Sequence, residues 1–181
     1  MTKWQSLTIP DIVTISILGA LMRVIIRVRQ TFPVPMPFSD WISIFLFSYF
    51  CVIAAYLVLK PGTVYLFFLV NMLVNFFLGG AWIWSVNALL FPIIPEFLAI
   101  AFFIAGKEYL PNNKTIYAIL LGVVVVFSDY LVAFGLVYPV FLGTTFASDY
   151  LVMMAIAYLI IGSVGAILGY RTARSIKPLV R

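Results

Sequence analysis

The sequence contains no histidine, and Cys51 is its single cysteine among 181 residues. Without histidine, the commonest general base, the catalytic triads and the usual zinc ligand sets are excluded. One cysteine excludes an intrachain disulfide and a cysteine-cluster metal site. Charged residues make up only 9% of the chain, and no stretch has the features of a cleavable signal peptide. We therefore expect no catalytic residues, no bound metal and no cofactor.

Hydrophobic residues, in contrast, form 65% of the chain, and the mean hydropathy is +1.17. This composition lies far outside the range of soluble domains and predicts an integral membrane protein. A membrane-spanning helix needs about 20 mostly apolar residues. Six stretches qualify: about 9–29, 41–59, 63–82, 85–106, 116–138 and 150–170. We predict one all-α domain over residues 1–181, a compact bundle of six transmembrane helices in the cell membrane. The third and fourth stretches nearly run together, so a five-helix bundle is the alternative.

The positions of lysine and arginine predict the orientation, because these residues concentrate in cytoplasmic loops. With both termini cytoplasmic, the inner side holds Lys3, Lys60, Lys107, Lys114, Arg171, Arg174, Lys177 and Arg181. The net charge of +5 is then explained by contact with the lipid surface rather than with nucleic acid. Arg23, Arg27 and Arg29 fall on the opposite side, which indicates that these three serve another purpose.

A proline-rich loop, 30–40, follows these arginines on the predicted outer side. Proline stands at every second position from Pro33 to Pro37. Such a segment is neither helix nor central strand. We interpret it as a stiff lid.

Polar residues inside the predicted spans share a common depth. Asn71 lies one turn from Asn75, and the predicted substrate-binding polar residues are Arg23, Asn75, Asn87, Glu96 and Asp129. Charged residues inside a span are costly and usually face the protein interior or water. All fall at mid-membrane or outward of it, which favours a ligand cavity beneath the loop. The alternative is a set of structural pairs, for example Arg23 with Asp129.

Prolines and aromatic residues add detail to this cavity. Pro92 and Pro95 predict a bend in the fourth span beside Glu96, since proline removes backbone hydrogen bonds. A protonated Glu96 bonded to a neighbouring helix is the competing interpretation. We assign Phe38, Trp41 and Tyr138 to the site as rings that stack on a flat ligand. The alternative for these aromatic residues is an interfacial belt.

Small residues form two stripes. Ser16, Gly19 and Ala20 lie in the first span, and the last span contains Gly162, Gly165, Ala166 and Gly169. Small residues allow helices to approach closely. Each stripe therefore serves either packing within the bundle or docking to a partner membrane subunit, and we assign Ser16, Gly19 and Ala20 to partner binding.

The layout resembles the substrate-binding S components of energy-coupling factor (ECF) transporters. The shared features are six spans in about 180 residues, a small-residue motif in the first span, a long first outer loop and the basic ending at 169–174. The resemblance implies a vitamin-like substrate under loops 30–40 and 139–149. It also implies contact with a transmembrane coupling subunit, where Ser16-x-x-x-Ala20 replaces the family's Ala-x-x-x-Ala, and with ATPase subunits. Glu96 stands where thiamine-type members carry a carboxylate, which makes thiamine or a hydroxymethylpyrimidine-like precursor the first choice.

These observations predict a substrate-capture subunit without catalysis of its own. Two alternatives are a structural or assembly subunit, which needs no cavity, and an autonomous small carrier. A lipid-modifying membrane enzyme is disfavoured, because the chain lacks histidine and a dense carboxylate cluster for Mg²⁺. No internal repeat supports a transporter built from two similar halves.

Overall fold

The computed structural model describes residues 6–33, 35, 38–106 and 115–180. Every regular element in these residues is helical. The elements are α1 Ile9–Gln30, α2 Phe38–Val58, α3 Thr63–Phe77, α4 Trp82–Leu90, α5 Ile93–Gly106, α6 Thr115–Val132, a π-helical segment Ala133–Phe141, and α7 Ser148–Val180. The predicted all-α class is therefore confirmed.

Five helical units are long and apolar enough to cross a membrane. They are α1, α2, the pair α4–α5 over Trp82–Ala101, α6 with the π-helical segment over Ile116–Phe141, and α7. The apolar α3 is shorter, at 15 residues. With α3, these units make six helical segments in the described residues, and the predicted third and fourth spans are separate elements.

The fourth predicted span is interrupted where the sequence predicts a bend. Helix α4 ends at Leu90, residues 91–92 form a turn, and α5 begins at Ile93. Pro92 has no N–H to continue the helical hydrogen-bond ladder. The backbone of Glu96 then bonds the Pro92 carbonyl at 3.1 Å, which starts the new helix. Because of this break, the predicted span consists of two helices, and α4 and α5 lie toward opposite ends of the bundle.

The last helix continues beyond the predicted span, which ends at about 170. Helix α7 runs to Val180, so Arg171, Arg174 and Lys177 lie on a helix rather than in a tail. The predicted positions of Lys3, Lys107, Lys114 and Arg181 lie outside the described residues.

The glycine stripe of α7 packs inside the bundle. A Cβ atom added at Gly165 would lie 2.7 Å from the carbonyl oxygen of Phe45, and one at Gly169 would lie 2.5 Å from that of Tyr49. Both oxygens belong to α2, and Gly162 packs against Val126 of α6. Of the two roles considered for this stripe, the structure supports packing within the bundle.

The bundle has two distinct ends. One, here called the proline-loop end, carries residues 31–33 and the loops 78–81 and 142–147. The other, the basic end, carries the turn at 59–62 and the part of α7 that follows Tyr170. Between them lies an apolar core in which Phe67, Phe68 and Phe91 are fully buried.

Candidate functional site

A cavity of about 340 Å³ opens in the half of the bundle next to the proline-loop end. Helices α1, α2, α3, α4, α6, α7 and the π-helical segment all contribute to its wall. The charged and amide residues that line it are Arg23, Arg29, Gln30, Asp40, Asn71, Asn75, Asn87 and Asp129. The wall also contains Phe47, Trp84, Phe91, Tyr138 and Tyr158. The sequence therefore correctly placed Arg23, Asn75, Asn87, Asp129 and Tyr138 around one space.

The arginines of α1 have different partners. Arg23 donates a hydrogen bond to Oδ1 of Asn75, and Arg29 donates one to Oγ of Ser43 at 3.0 Å. Arg27 does not line the cavity. It donates to the Leu78 carbonyl at 2.7 Å and to Gln30 at 3.0 Å. Arg27 therefore ties α1 to loop 78–81, while the other two face the cavity.

Asp129 lies on the opposite wall. Its Oδ1 atom accepts a hydrogen bond from Nδ2 of Asn87 at 2.6 Å, and both side chains are buried. Asp129 and Arg23 each bond an asparagine, and no ion pair joins the two residues in the described structure. The structural pair considered from the sequence is absent, so both charges line the cavity without neutralising each other directly.

Four buried polar atoms of the cavity wall have no hydrogen-bond partner among the described residues. They are Nε of Arg23, Nε of Arg29, Nδ2 of Asn71 and Oδ1 of Asn87. Burying a donor or acceptor without a partner costs about 1–3 kcal/mol. Most buried polar groups in native proteins are paired, so such a cluster requires an explanation. These atoms are available to hydrogen-bond water or a polar ligand in the cavity.

Aromatic residues form another part of the wall. The rings of Trp84 and Tyr138 meet edge to face with centroids 5.6 Å apart. Phe38 and Trp41 instead pack on each other at 5.0 Å, and neither lines the cavity. Phe38 begins α2 and is largely exposed. The prediction that these two rings contact a ligand therefore finds no support in the cavity geometry.

Glu96 requires a correction, because its carboxylate is bound elsewhere. It accepts backbone hydrogen bonds from Gly62 at 2.6 Å, Val64 at 3.0 Å and Tyr65 at 3.1 Å. These N–H groups belong to the start of α3, where the helix dipole also favours a negative charge. The break at 91–92 carries Glu96 past the cavity and toward the basic end. Glu96 is absent from the cavity wall, and this placement replaces our prediction that it contacts substrate.

Several wall residues were not assigned to the site from the sequence, among them Arg29, Asp40, Asn71 and Tyr158. Arg29 and Asp40 flank the proline loop, but α1 extends to Gln30 and α2 begins at Phe38, so both are helical. Asn71 precedes Asn75 by four residues, and that helical spacing was the signal that could have placed it. Tyr158 carries no comparable signal.

The proline loop meets the cavity at both of its ends. Gln30 and Ser39 line the wall, and Phe32 is 63% exposed. Residues 34, 36 and 37 of the predicted lid lie outside the described residues. The role of this loop as a cover remains a prediction.

The small residues of α1 divide into two groups. Gly19 is buried, and a Cβ atom there would lie 2.8 Å from the Phe67 carbonyl oxygen of α3. Gly19 therefore packs within the bundle, contrary to its assignment to a partner surface. Ser16 and Ala20 are half-buried at the edge of an apolar face that exposes Ile17 and Leu21.

No family model and no curated protein matches this sequence. Among solved structures, the chain is similar to one described as "Crystal structure of an S-component of ECF transporter", with a TM-score of 0.70. The similarity covers 96% of this chain and 85% of that one, at 18% sequence identity. The two chains share a fold. The S-component fold predicted from the layout is thus confirmed over nearly the whole chain.

Proposed function

We propose that this chain is the substrate-capture subunit of an ECF-type uptake transporter. The observation that carries the proposal is a cavity with buried, unpaired polar atoms inside a bundle of the S-component fold. A structural subunit gains nothing from such atoms, because unpaired buried polar groups destabilise a protein. A binding subunit does gain from them, because the ligand completes their hydrogen bonds.

The proposed ligand is a small water-soluble micronutrient. A volume of about 340 Å³ is at the lower end of the range for small-molecule sites. From the sequence, Glu96 made thiamine and pyrimidine precursors the first choice. In the structure, however, Glu96 caps α3. Asp129 is the buried carboxylate available to a ring with donor groups, so these compounds remain in the panel to be tested without preference.

The proposed location is the cell membrane, which the chain crosses several times. Both termini then lie in the cytoplasm. The cavity then opens outward, and the proline loop covers it once ligand is bound. Ligand drives such closure only through contacts that differ between the open and closed states. A transmembrane coupling subunit and ATPase subunits supply the energy, and the chain itself catalyses no reaction.

Ser16 and Ala20 form the proposed contact with the coupling subunit. They adjoin an exposed apolar face on α1, and neither residue lines the cavity. Ala20→Trp should block co-purification with coupling subunits and leave ligand binding intact. Loss of ligand binding with intact association would contradict this division of α1.

Ligand binding by the isolated chain tests the function itself. The full chain is purified in detergent, and B vitamins and their precursors are screened by quenching of tryptophan fluorescence. Trp84 lines the cavity, whereas the exposed Trp82 does not, so Trp84→Phe should remove most of the quenching and Trp82→Phe should not. If no compound binds, the capture proposal fails and a role in assembly is favoured.

A further inference from the structure

The cavity wall carries charges of both signs, contributed by different helices. Arg23 and Arg29 lie on α1, whereas Asp40 lies in the first turn of α2 and Asp129 lies on α6. The four formal charges cancel. The described residues show no ion pair among these four, although Asp40 interacts electrostatically with Arg29 and with Asp129.

The two arginines are oriented by neutral partners and form no ion pair in the described structure. Each guanidinium donates one hydrogen bond to a neutral side chain, Asn75 for Arg23 and Ser43 for Arg29. The Nε atom of each arginine is buried without a partner in the described structure. A guanidinium presents its donors in a planar fork that fits a carboxylate or a phosphate. This part of the wall therefore suits an anionic group.

The carboxylate side has the opposite preference. Asp129 accepts one hydrogen bond from Asn87, whose own Oδ1 atom is buried and unpaired. Asp40, Tyr138 and Tyr158 line the same cavity as Asp129. Carboxylates beside aromatic rings suit a cation or a polarised N–H donor, since rings attract cations over their faces. This part of the wall therefore suits a positive group.

We infer that the ligand is amphoteric: one end anionic, held by Arg23 and Arg29, and the other cationic or N–H donating, held by Asp129. A molecule with a single charge would leave the wall residues of the other sign without a charged partner, and a buried charge without a partner is unfavourable. An overall neutral ligand with separated charges matches both parts at once. This inference rests on the proposed function, because it names the chemical class of the captured substrate.

Three matched probes test the inference directly: 4-(aminomethyl)benzoate, which carries both charges, 4-methylbenzoate, which is anionic only, and 4-(aminomethyl)benzamide, which is cationic only. Binding to the full chain in detergent is measured from the rise in unfolding temperature with probe concentration. The zwitterion should bind at least about tenfold more tightly than either singly charged probe, since one charge-assisted hydrogen bond accounts for about that factor.

Variants assign each end of the probe. Arg23→Gln and Arg29→Gln should each reduce binding of the two benzoates and leave the benzamide unaffected, and Arg29→Lys should lie between. Asp129→Asn should reduce binding of the two aminomethyl probes and leave 4-methylbenzoate unaffected. Arg27→Gln and Asp149→Asn serve as controls, because neither side chain lines the cavity and each changes the net charge by the same amount. Equal binding of the three probes, or binding of none, would overturn the inference.

The outcomes also separate this inference from the proposed function. If the chain binds the zwitterion but no micronutrient, the inference of an amphoteric site stands and the proposed vitamin ligand is wrong. If the chain binds an uncharged micronutrient, and Arg23→Gln and Asp129→Asn bind it with the same affinity as the unchanged chain, the capture function stands. The inference of an amphoteric ligand is then overturned.

Discussion

The two halves of the bundle use their scarce polar groups differently. Toward the basic end, the Glu96 carboxylate accepts three backbone hydrogen bonds, and Lys60 pairs with Asp11 at 2.5 Å. Four cavity-wall residues retain buried polar atoms without partners in the described structure, whereas Tyr56 Oη is the one such atom toward the basic end. The comparison teaches that a carboxylate inside a span does not by itself indicate a binding site. Whether protein donors already satisfy it decides between structure and function.

The close contact between α2 and α7 should produce the largest effect on stability. Gly169→Leu forces a side chain toward the Tyr49 carbonyl oxygen, where a Cβ atom alone would lie 2.5 Å away. The neighbour is backbone and cannot rotate aside, so we expect a loss of about 3 kcal/mol of stability and little folded protein. Thermal unfolding and gel filtration in detergent measure the effect.

Gly135→Leu is the matched control for this substitution. A Cβ atom at Gly135 would meet no atom within 4 Å, so this variant should unfold near the wild-type temperature. Equal losses in the two glycine variants would contradict the close packing of α7 on α2.

The cap formed by Glu96 should give the next largest effect. Glu96→Gln replaces a carboxylate oxygen with an amide donor that faces the N–H groups at the start of α3. We expect a loss of about 2 kcal/mol, because hydrogen bonds to charged groups contribute about 1.5–3 kcal/mol. The measurement is thermal unfolding, alongside ligand affinity, which should not change.

Asp149→Asn provides the control for Glu96, since Asp149 is an exposed carboxylate in the first turn of α7. It should change the unfolding temperature much less. A weakened ligand affinity in Glu96→Gln, with normal stability, would restore the original assignment of Glu96 to the binding site and break the comparison between the two halves.

There is a physical reason why the sequence placed some residues at the cavity but misplaced Glu96. Apolar run length predicts spans, and depth along a span predicted that Arg23, Asn75, Asn87 and Asp129 would meet. Glu96 was placed on a continuous helix over 85–106. The helix instead stops at Leu90 and restarts at Ile93, and depth alone does not reveal that the start of α3 offers three donors there.

The edges of the site were harder to predict for a related reason. Segment 30–40 appeared as a single loop because of its prolines, yet α1 includes Gln30 and α2 already includes Asp40. Helix ends depend on neighbouring packing and are poorly fixed by local sequence. Gly19 illustrates the same limit, since a small residue on α1 favours close contact equally with α3 or with another protein.

The cavity half should respond to apolar substitution in the opposite sense from the basic half. Asn71 is 3% exposed and its Nδ2 atom has no partner among the described residues. Asn71→Leu removes this unpaired donor at similar volume, so stability should stay equal or rise by about 1 kcal/mol, while ligand affinity falls. Thermal unfolding and fluorescence quenching measure the two quantities.

Asn75→Leu is the informative neighbour of that variant, one helical turn away. It removes the acceptor that holds the Arg23 guanidinium, so it should destabilise the chain. If Asn71→Leu costs as much stability as Asn75→Leu, then Asn71 is a structural residue, and the cavity wall is not organised around missing partners.

The ion pair at the basic end should give the smallest effect. Lys60 and Asp11 are each less than one-fifth exposed, but Asp11 also accepts hydrogen bonds from the backbone N–H and the hydroxyl of Thr8. Lys60→Met removes only the pairing and leaves the two hydrogen bonds from Thr8 to Asp11, whereas Asp11→Asn also weakens the cap of α1. We expect Asp11→Asn to lower the unfolding temperature more than Lys60→Met. The opposite order would mean that the charge pair, rather than the satisfied backbone groups, stabilises this end. Glu96 would then be the one remaining support for the contrast between the basic end and the cavity.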